Sequence, residues 1–229
     1  GIPSAAESVA VAEAILLSKL TNSRLHLCRV SCLESLMLIQ SAQSEGLSVT
    51  SDVAIHQLFF DENSIDNFNS DFHVMPPFRS NEDLVALHQA VNKETITAIC
   101  SDHQPHNEDA KQAPFSDTQP GVSSIELLLP LIMELVELKI IDMSEAIAKV
   151  TSNPSEILGI DAGVIAKGLP ADLCIIKKEA WLFDEAKILS AGKNNPFLGR
   201  KFNYLVDKTI CDGKICLLYT SDAADDSLR

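Results

Sequence analysis

The chain is 229 residues long and 46% apolar, with 32 acidic against 18 basic side chains and a formal net charge of −14. That is ample for one large domain, or a domain with an appendage, around a buried core. The acidic surplus repels phosphate backbones and anionic lipid, which excludes nucleic acid and membrane surfaces as partners. No uninterrupted apolar run reaches the roughly 18 to 20 residues of a spanning helix.

The chain opens at Gly1-Ile2-Pro3 without an initiator methionine or a leader and enters a helical pattern at once, as though cut from something longer. Ser4 to Leu20 is alanine-rich, with Val9, Ala12, Leu16 and Leu20 at the spacing of one helical face, and Asn22-Ser23 ends it. Arg24 to Val30 is short, apolar and free of glycine, as a buried strand is. Leu33 to Gln43 is helical again, with Gly46 in the place of a C-cap glycine, and Leu47 to Ala54 is the next strand. Asp61 to Asp71 is a polar surface loop, Leu84 to Val91 a helix and Thr95 to Cys100 a third strand. Crossovers of this length predict right-handed βαβ units, hence a parallel sheet or part of a barrel. Ile125 to Leu138 and Ser144 to Val150 read as helices, and Asn153-Pro154 as a boundary. From Gly163 short β-prone runs, Leu173–Ile176 and Lys208–Cys211, alternate with turns such as Asp212-Gly213 and predict a small β appendage. The six cysteines stand without CxxC spacing or the density of a secreted scaffold; they read as reduced and fit a cytoplasmic location.

Ser101-Asp102-His103-Gln104-Pro105-His106 carries the sharpest chemistry, because it follows a predicted strand directly. Catalytic groups gather at that end of the strands in an α/β barrel. A carboxylate there can bind a divalent metal or act as a general base, and an imidazole can hold an anionic substrate. A polar loop with an N-cap aspartate is the plainer reading of the same residues. His26 and His56, on or beside strands, read as packed or hydrogen-bonded rather than ligating; His73 and His88 read as surface residues, and Trp181 as packing for the appendage.

The Asp102 to His106 segment resembles the Asp-His-Ala-Pro-His signature of dihydroorotases. Glu108, Lys111, Pro114-Phe115, Pro120-Gly121 and Ile125-Glu126 continue in that family's manner. Gly1-Ile2-Pro3 with Glu7, His26 to Ser31, Val49 to Leu58, Pro76 to Arg79, Asn153-Pro154, Ala171 to Leu173 and Lys193 to Gly199 extend the resemblance to about Ile215. Hydantoinases and allantoinases share several of these motifs. The resemblance implies a (β/α)8 metal-dependent amidohydrolase barrel, of which residues 1–160 supply the last three strands and their helices and residues 161–215 part of a small β-sandwich appendage. It implies zinc, with most ligands upstream of this chain. Asp102 takes the place of an aspartate that touches metal and serves as general acid/base, while His106, Met75, Pro120 and Gly121 take substrate-binding positions. Equally, His106, Pro120 and Gly121 persist where they shape the loop.

Two residues depart from the pattern. Arg29 stands where a ligand histidine is expected, and a guanidinium has no lone pair for a metal; Arg29 is expected to pair with Asp102 instead. Met75 replaces an asparagine, and a thioether lacks that amide's paired donor and acceptor. The forms His26-Leu27-Cys28-Arg29 and Asp52 to Gln57 resemble a non-catalytic branch that assembles with aspartate carbamoyltransferase. Three readings follow: a silent, oligomeric partner of that transferase with zinc absent or impaired, an active enzyme interconverting dihydroorotate and N-carbamoyl-aspartate when full-length, or a hydrolase of another cyclic amide. Residues 216–229 resemble a translated sequencing adapter, which predicts no order beyond about Ile215.

Overall fold

A computed structural model describes residues 2–218. Three short strands, β1 (Leu25–Leu27), β2 (Val49–Ala54) and β3 (Ala98–Cys100), run parallel and lie side by side in chain order, with Leu25 opposite Val49 and Asp52 opposite Ala98. Helices α1 (Ser4–Thr21), α2 (Leu33–Ser44) and α3 (Asn81–Val91) alternate with them, as the sequence predicts, and α4 (Leu128–Glu137), α5 (Met143–Ala148) and α6 (Ser152–Leu158) follow.

The period of two along β2 sorts its side chains. Val49 and Val53 join the core with Leu36 and Ile39 of α2 and Leu87 and Val91 of α3. Thr50 and Asp52 point to the other face, where both hydrogen-bond to His26 of β1. The predicted C-cap glycine, Gly46, has φ +81°, and the Leu47 amide closes the end of α2 on the Ala42 carbonyl at 3.1 Å. The polar stretch after Asp61 is a series of single 3-10 turns, Glu62–Ser64, Asp66–Phe68 and Ser70–Phe72.

Three expectations need correction. First, the predicted apolar line of α1 faces outward: Val9 is 67% exposed and Leu20 83%, while Val11 and Ser18 are the buried residues. In so alanine-rich a helix several faces are small and apolar, so spacing alone does not select the packed one. Second, the boundary read at Asn153-Pro154 is the start of a further helix. It lies in the first turn of α6, where a proline leaves no intrahelical amide unmet, and Asn153 Nδ2 donates to the Thr97 carbonyl at 2.9 Å. The helix ends instead at Gly159, φ +68°. Third, order continues past Ile215, because a strand runs through Leu218; the rest of the expected tail, residues 219–229, lies outside the described residues.

That strand, β6 (Lys214–Leu218), completes an antiparallel sheet with β4 (Leu173–Leu182) and β5 (Lys201–Cys211). The predicted Asp212-Gly213 turn links β5 to β6 with both residues at positive φ, the conformation that a two-residue hairpin requires. The sheet is docked rather than tethered. Phe183, Phe197 and Phe202 are buried in one core cluster with Leu131, Ile132 and Leu135 of α4, and Arg200 grips Glu134 with two hydrogen bonds at 3.1 and 2.5 Å. Trp181 sits at this seam, tilted against Phe202 at 5.5 Å, with its indole N–H on the Tyr204 carbonyl at 2.8 Å.

Candidate functional site

Parallel strands deliver their C-terminal ends to one edge of the sheet, so the residues after β1 and β3 meet there. Arg29 follows β1 and Asp102 follows β3, both with φ in the left-handed region, +56° and +45°. Non-glycine residues seldom adopt that conformation, and here both side chains turn toward each other. The Arg29 amide is held by Asp52 Oδ1 at 2.8 Å, and its guanidinium Nη1 donates to Asp102 Oδ1 at 3.3 Å. Gln104 Nε2 donates to the same Asp102 oxygen at 3.0 Å. The Asp102 side chain is only 10% exposed, so one of its two oxygens is committed to protein donors in a largely dry place. The expected Arg29–Asp102 pair is present.

His103 is turned away from this pair. Its Nδ1 accepts from the Ser124 and Ile125 amides, both at 3.1 Å, which makes it an anchor for the start of the segment leading into α4.

His106, Pro120 and Gly121 come together in a second cluster. His106 Nε2 is 3.0 Å from the Pro120 carbonyl, which can only accept, so Nε2 carries a proton there and Nδ1 is left as the free ring nitrogen. A carboxylate ligand needs a donor, so it would require either release of Nε2 from Pro120 or a second ring proton. Gly121, at φ +141°, leaves no space for a side chain: a Cβ there would lie 2.5 Å from Gln104 Cβ and 3.1 Å from His106 Nε2. Asn194 ties the cluster together, accepting from the His106 amide at 2.8 Å and donating to the Gln104 and Gly121 carbonyls at 3.0 and 2.9 Å. Lys111 adds bonds to the Ser70 and Gly121 carbonyls, and burial pushes its ammonium down to about 8. Met75 is 41% exposed, before a cis bond to Pro76 and two residues after His73, whose carbonyl accepts from the Gly121 amide at 2.8 Å.

Gln104, Asn194 and Asp52 had no assigned role in the sequence. The signal for Asp52 was an acid inside an otherwise buried strand; for Asn194 it was only its place in Lys193 to Gly199. The remaining histidines refine their expectations. His26 is hydrogen-bonded by both nitrogens, to Thr50 Oγ1 at 2.8 Å and Asp52 Oδ2 at 2.9 Å. His56 is packed edge-on to Phe78 with neither nitrogen hydrogen-bonded, and burial, helped by the Arg29 charge, lowers its pKa to about 3. His73 and His88 are less superficial than expected: each is half-buried and bonded, to Thr118 Oγ1 and the Leu58 carbonyl.

The fold and this strand-end site define an amidohydrolase: residues 4–216 match the amidohydrolase family, and the chain belongs to it. Within that family the sequence is similar to the "Dihydroorotase-like protein" of Pseudomonas putida, 41% identical over 216 residues, and to the "Dihydroorotase" of Geotalea daltonii, 38% identical over 216 residues. Both alignments take in 94% of this chain and 51% of the relative, so the chain spans about half the length of these curated relatives. Its fold matches 49% of the crystal structure of dihydropyrimidinase from Brevibacillus agri with a TM-score of 0.89 at 21% identity, 94% of this chain being covered. The L-hydantoinase of Arthrobacter aurescens matches with a TM-score of 0.88 at 25% identity, over 93% of this chain and 49% of that one.

The resemblance implies zinc at Asp102, and the donor set around that residue does not fit it. One carboxylate oxygen is held by two donors, and the neighbour that should offer an imidazole lone pair offers a cationic donor.

Proposed function

We propose that this chain is part of a catalytically silent dihydroorotase-like protein that acts in the cytoplasm as an assembly partner of aspartate carbamoyltransferase. The observation that carries the silent reading is the guanidinium of Arg29 on Asp102 Oδ1, at the place where the resemblance requires a metal ligand and a free proton acceptor. Support for the partner comes from the sequence forms at His26–Arg29 and Asp52–Gln57, which resemble the non-catalytic branch.

In the whole protein, dihydroorotate is expected to show no turnover with or without added zinc, while aspartate carbamoyltransferase co-purifies. Turnover that Asp102→Asn abolishes would overturn the silent reading, and absence of the transferase from the purified complex would overturn the partner.

One observation favours the alternative of an active enzyme in the whole protein: His106, Pro120 and Gly121 are held together beside the Asp102 loop, as a substrate-binding wall requires. In that reading Asp102 takes and returns the proton and His106 holds the substrate carboxylate. Turnover by the unaltered whole protein separates the two readings; if there is none, activity restored by Arg29→His would show that this one substitution silenced the site.

A further inference from the structure

A different set of ligand-type side chains lies beside the Asp102 pair. His26, Cys28 and Asp52 each bring one ligand atom into a group whose members are all within 4.8 Å of one another. The sheet makes this arrangement: residues 26 and 28 share one side of the extended β1 segment, and the parallel register that sets His26 opposite Thr50 brings Cys28 level with Asp52. We propose that His26 Nε2, Cys28 Sγ and Asp52 Oδ2 form a binding site for a divalent transition metal of the zinc class, separate from Asp102 and outside the activity proposed above.

The chemistry is consistent on four counts. Thiolate, imidazole and carboxylate together are the donor set that zinc accepts, and tetrahedral zinc with bonds of about 2.0–2.3 Å sets its ligand atoms about 3.3–3.8 Å apart. The His26–Asp52 contact of 2.9 Å must open by a few tenths of an ångström, and the 4.8 Å limit must close. His26 is already steered by its other nitrogen, since Nδ1 lies 2.8 Å from Thr50 Oγ1. A hydroxyl can donate or accept, so Thr50 can switch to accepting from Nδ1–H and leave the Nε2 lone pair for the metal.

Charge also balances. The carboxylate of Asp52 and a thiolate at Cys28 neutralise a dication, while the nearby Arg29 charge is answered by Asp102. Partial burial and the Asp52 carboxylate hold the Cys28 thiol above its ordinary range, so the free site carries a thiol. Metal binding therefore forms one metal–sulfur bond and releases one proton to solvent. Finally, Cys28 is exposed, which gives the ion a way in and leaves the fourth position to water.

Cobalt(II) is the probe, titrated into the purified chain with Cys174, Cys211 and Cys216, exposed on the appendage, replaced by serine. One equivalent should produce a thiolate-to-cobalt charge-transfer band in the near ultraviolet. Cys28→Ser and His26→Ala should each lose it, while Asp102→Asn and Cys32→Ser keep it. Absence of the band in the parent chain, its survival in Cys28→Ser, or its loss in Asp102→Asn would overturn the site. Should the substituted chains fail to fold, alkylation of the unaltered chain decides: zinc should slow labelling of Cys28 by about tenfold relative to Cys174, and equal slowing at both would overturn it.

Discussion

Gly121 is where the smallest substitution should have the clearest effect. Its backbone is left-handed and a methyl group would lie 2.5 Å from Gln104 Cβ, so Gly121→Ala combines strain with a clash. A loss of about 1–3 kcal/mol is expected, read in calorimetry as a Tm lower by roughly 2–4 °C for each kcal/mol; an unchanged Tm would show that the loop yields freely. His56 makes a pH prediction. Its ordinary pKa of 6.5 falls to about 3 on folding, so between those values the unfolded chain binds more protons than the folded one. Its contribution is therefore complete above pH 6.5 and is lost as pH falls toward 3, with a slope of up to about 1.4 kcal/mol per pH unit. The stability measured by urea unfolding should fall accordingly as pH is lowered through that window, and His56→Leu should flatten the profile.

At the level of elements, the alternation of helix and strand was legible because burial forces hydrophobic period on both. Ends were legible where a residue has a conformational reason to be there, as Gly46 and Asp212-Gly213 do. The start of α3 has such a reason as well: Ser80 and Asp83 cap each other's amides, at 3.2 Å in both directions, and set the helix start at Asn81, three residues before Leu84. What spacing does not encode is partner choice, and α1 shows it. The same divide runs through the site. Asp102 was legible because it comes just after a predicted strand, and Arg29 because it stands where the resemblance expects a histidine, whereas Asn194 acts across 88 residues of chain, a proximity that only the docked appendage creates. Asn194→Ala removes a buried side chain that serves the His106 amide and two carbonyls at once. A cost of about 2–4 kcal/mol is expected, together with faster amide exchange at His106; exchange at the unaltered rate would show that other contacts hold the loop.

Large apolar side chains are exposed across the described residues, and four of them share one helix. Val9, Leu16, Leu17 and Leu20 of α1 are all more than half exposed. Such a stripe is an association surface in water. The purified 229-residue chain is expected to gain mass with concentration in sedimentation experiments, and Leu16→Lys with Leu20→Glu to shift it toward monomer; a monomer that unfolds cooperatively at every concentration would contradict this. The seam between the appendage sheet and α4 has a different consequence. The chain's only tryptophan, Trp181, lies on the appendage but packs into the shared core through Phe183 and Phe202. Its fluorescence is thus a built-in reporter of docking: release of the appendage would wet the indole and redden its emission while the helical ellipticity of α1 to α6 stays intact, separating partial opening from global unfolding without an attached label.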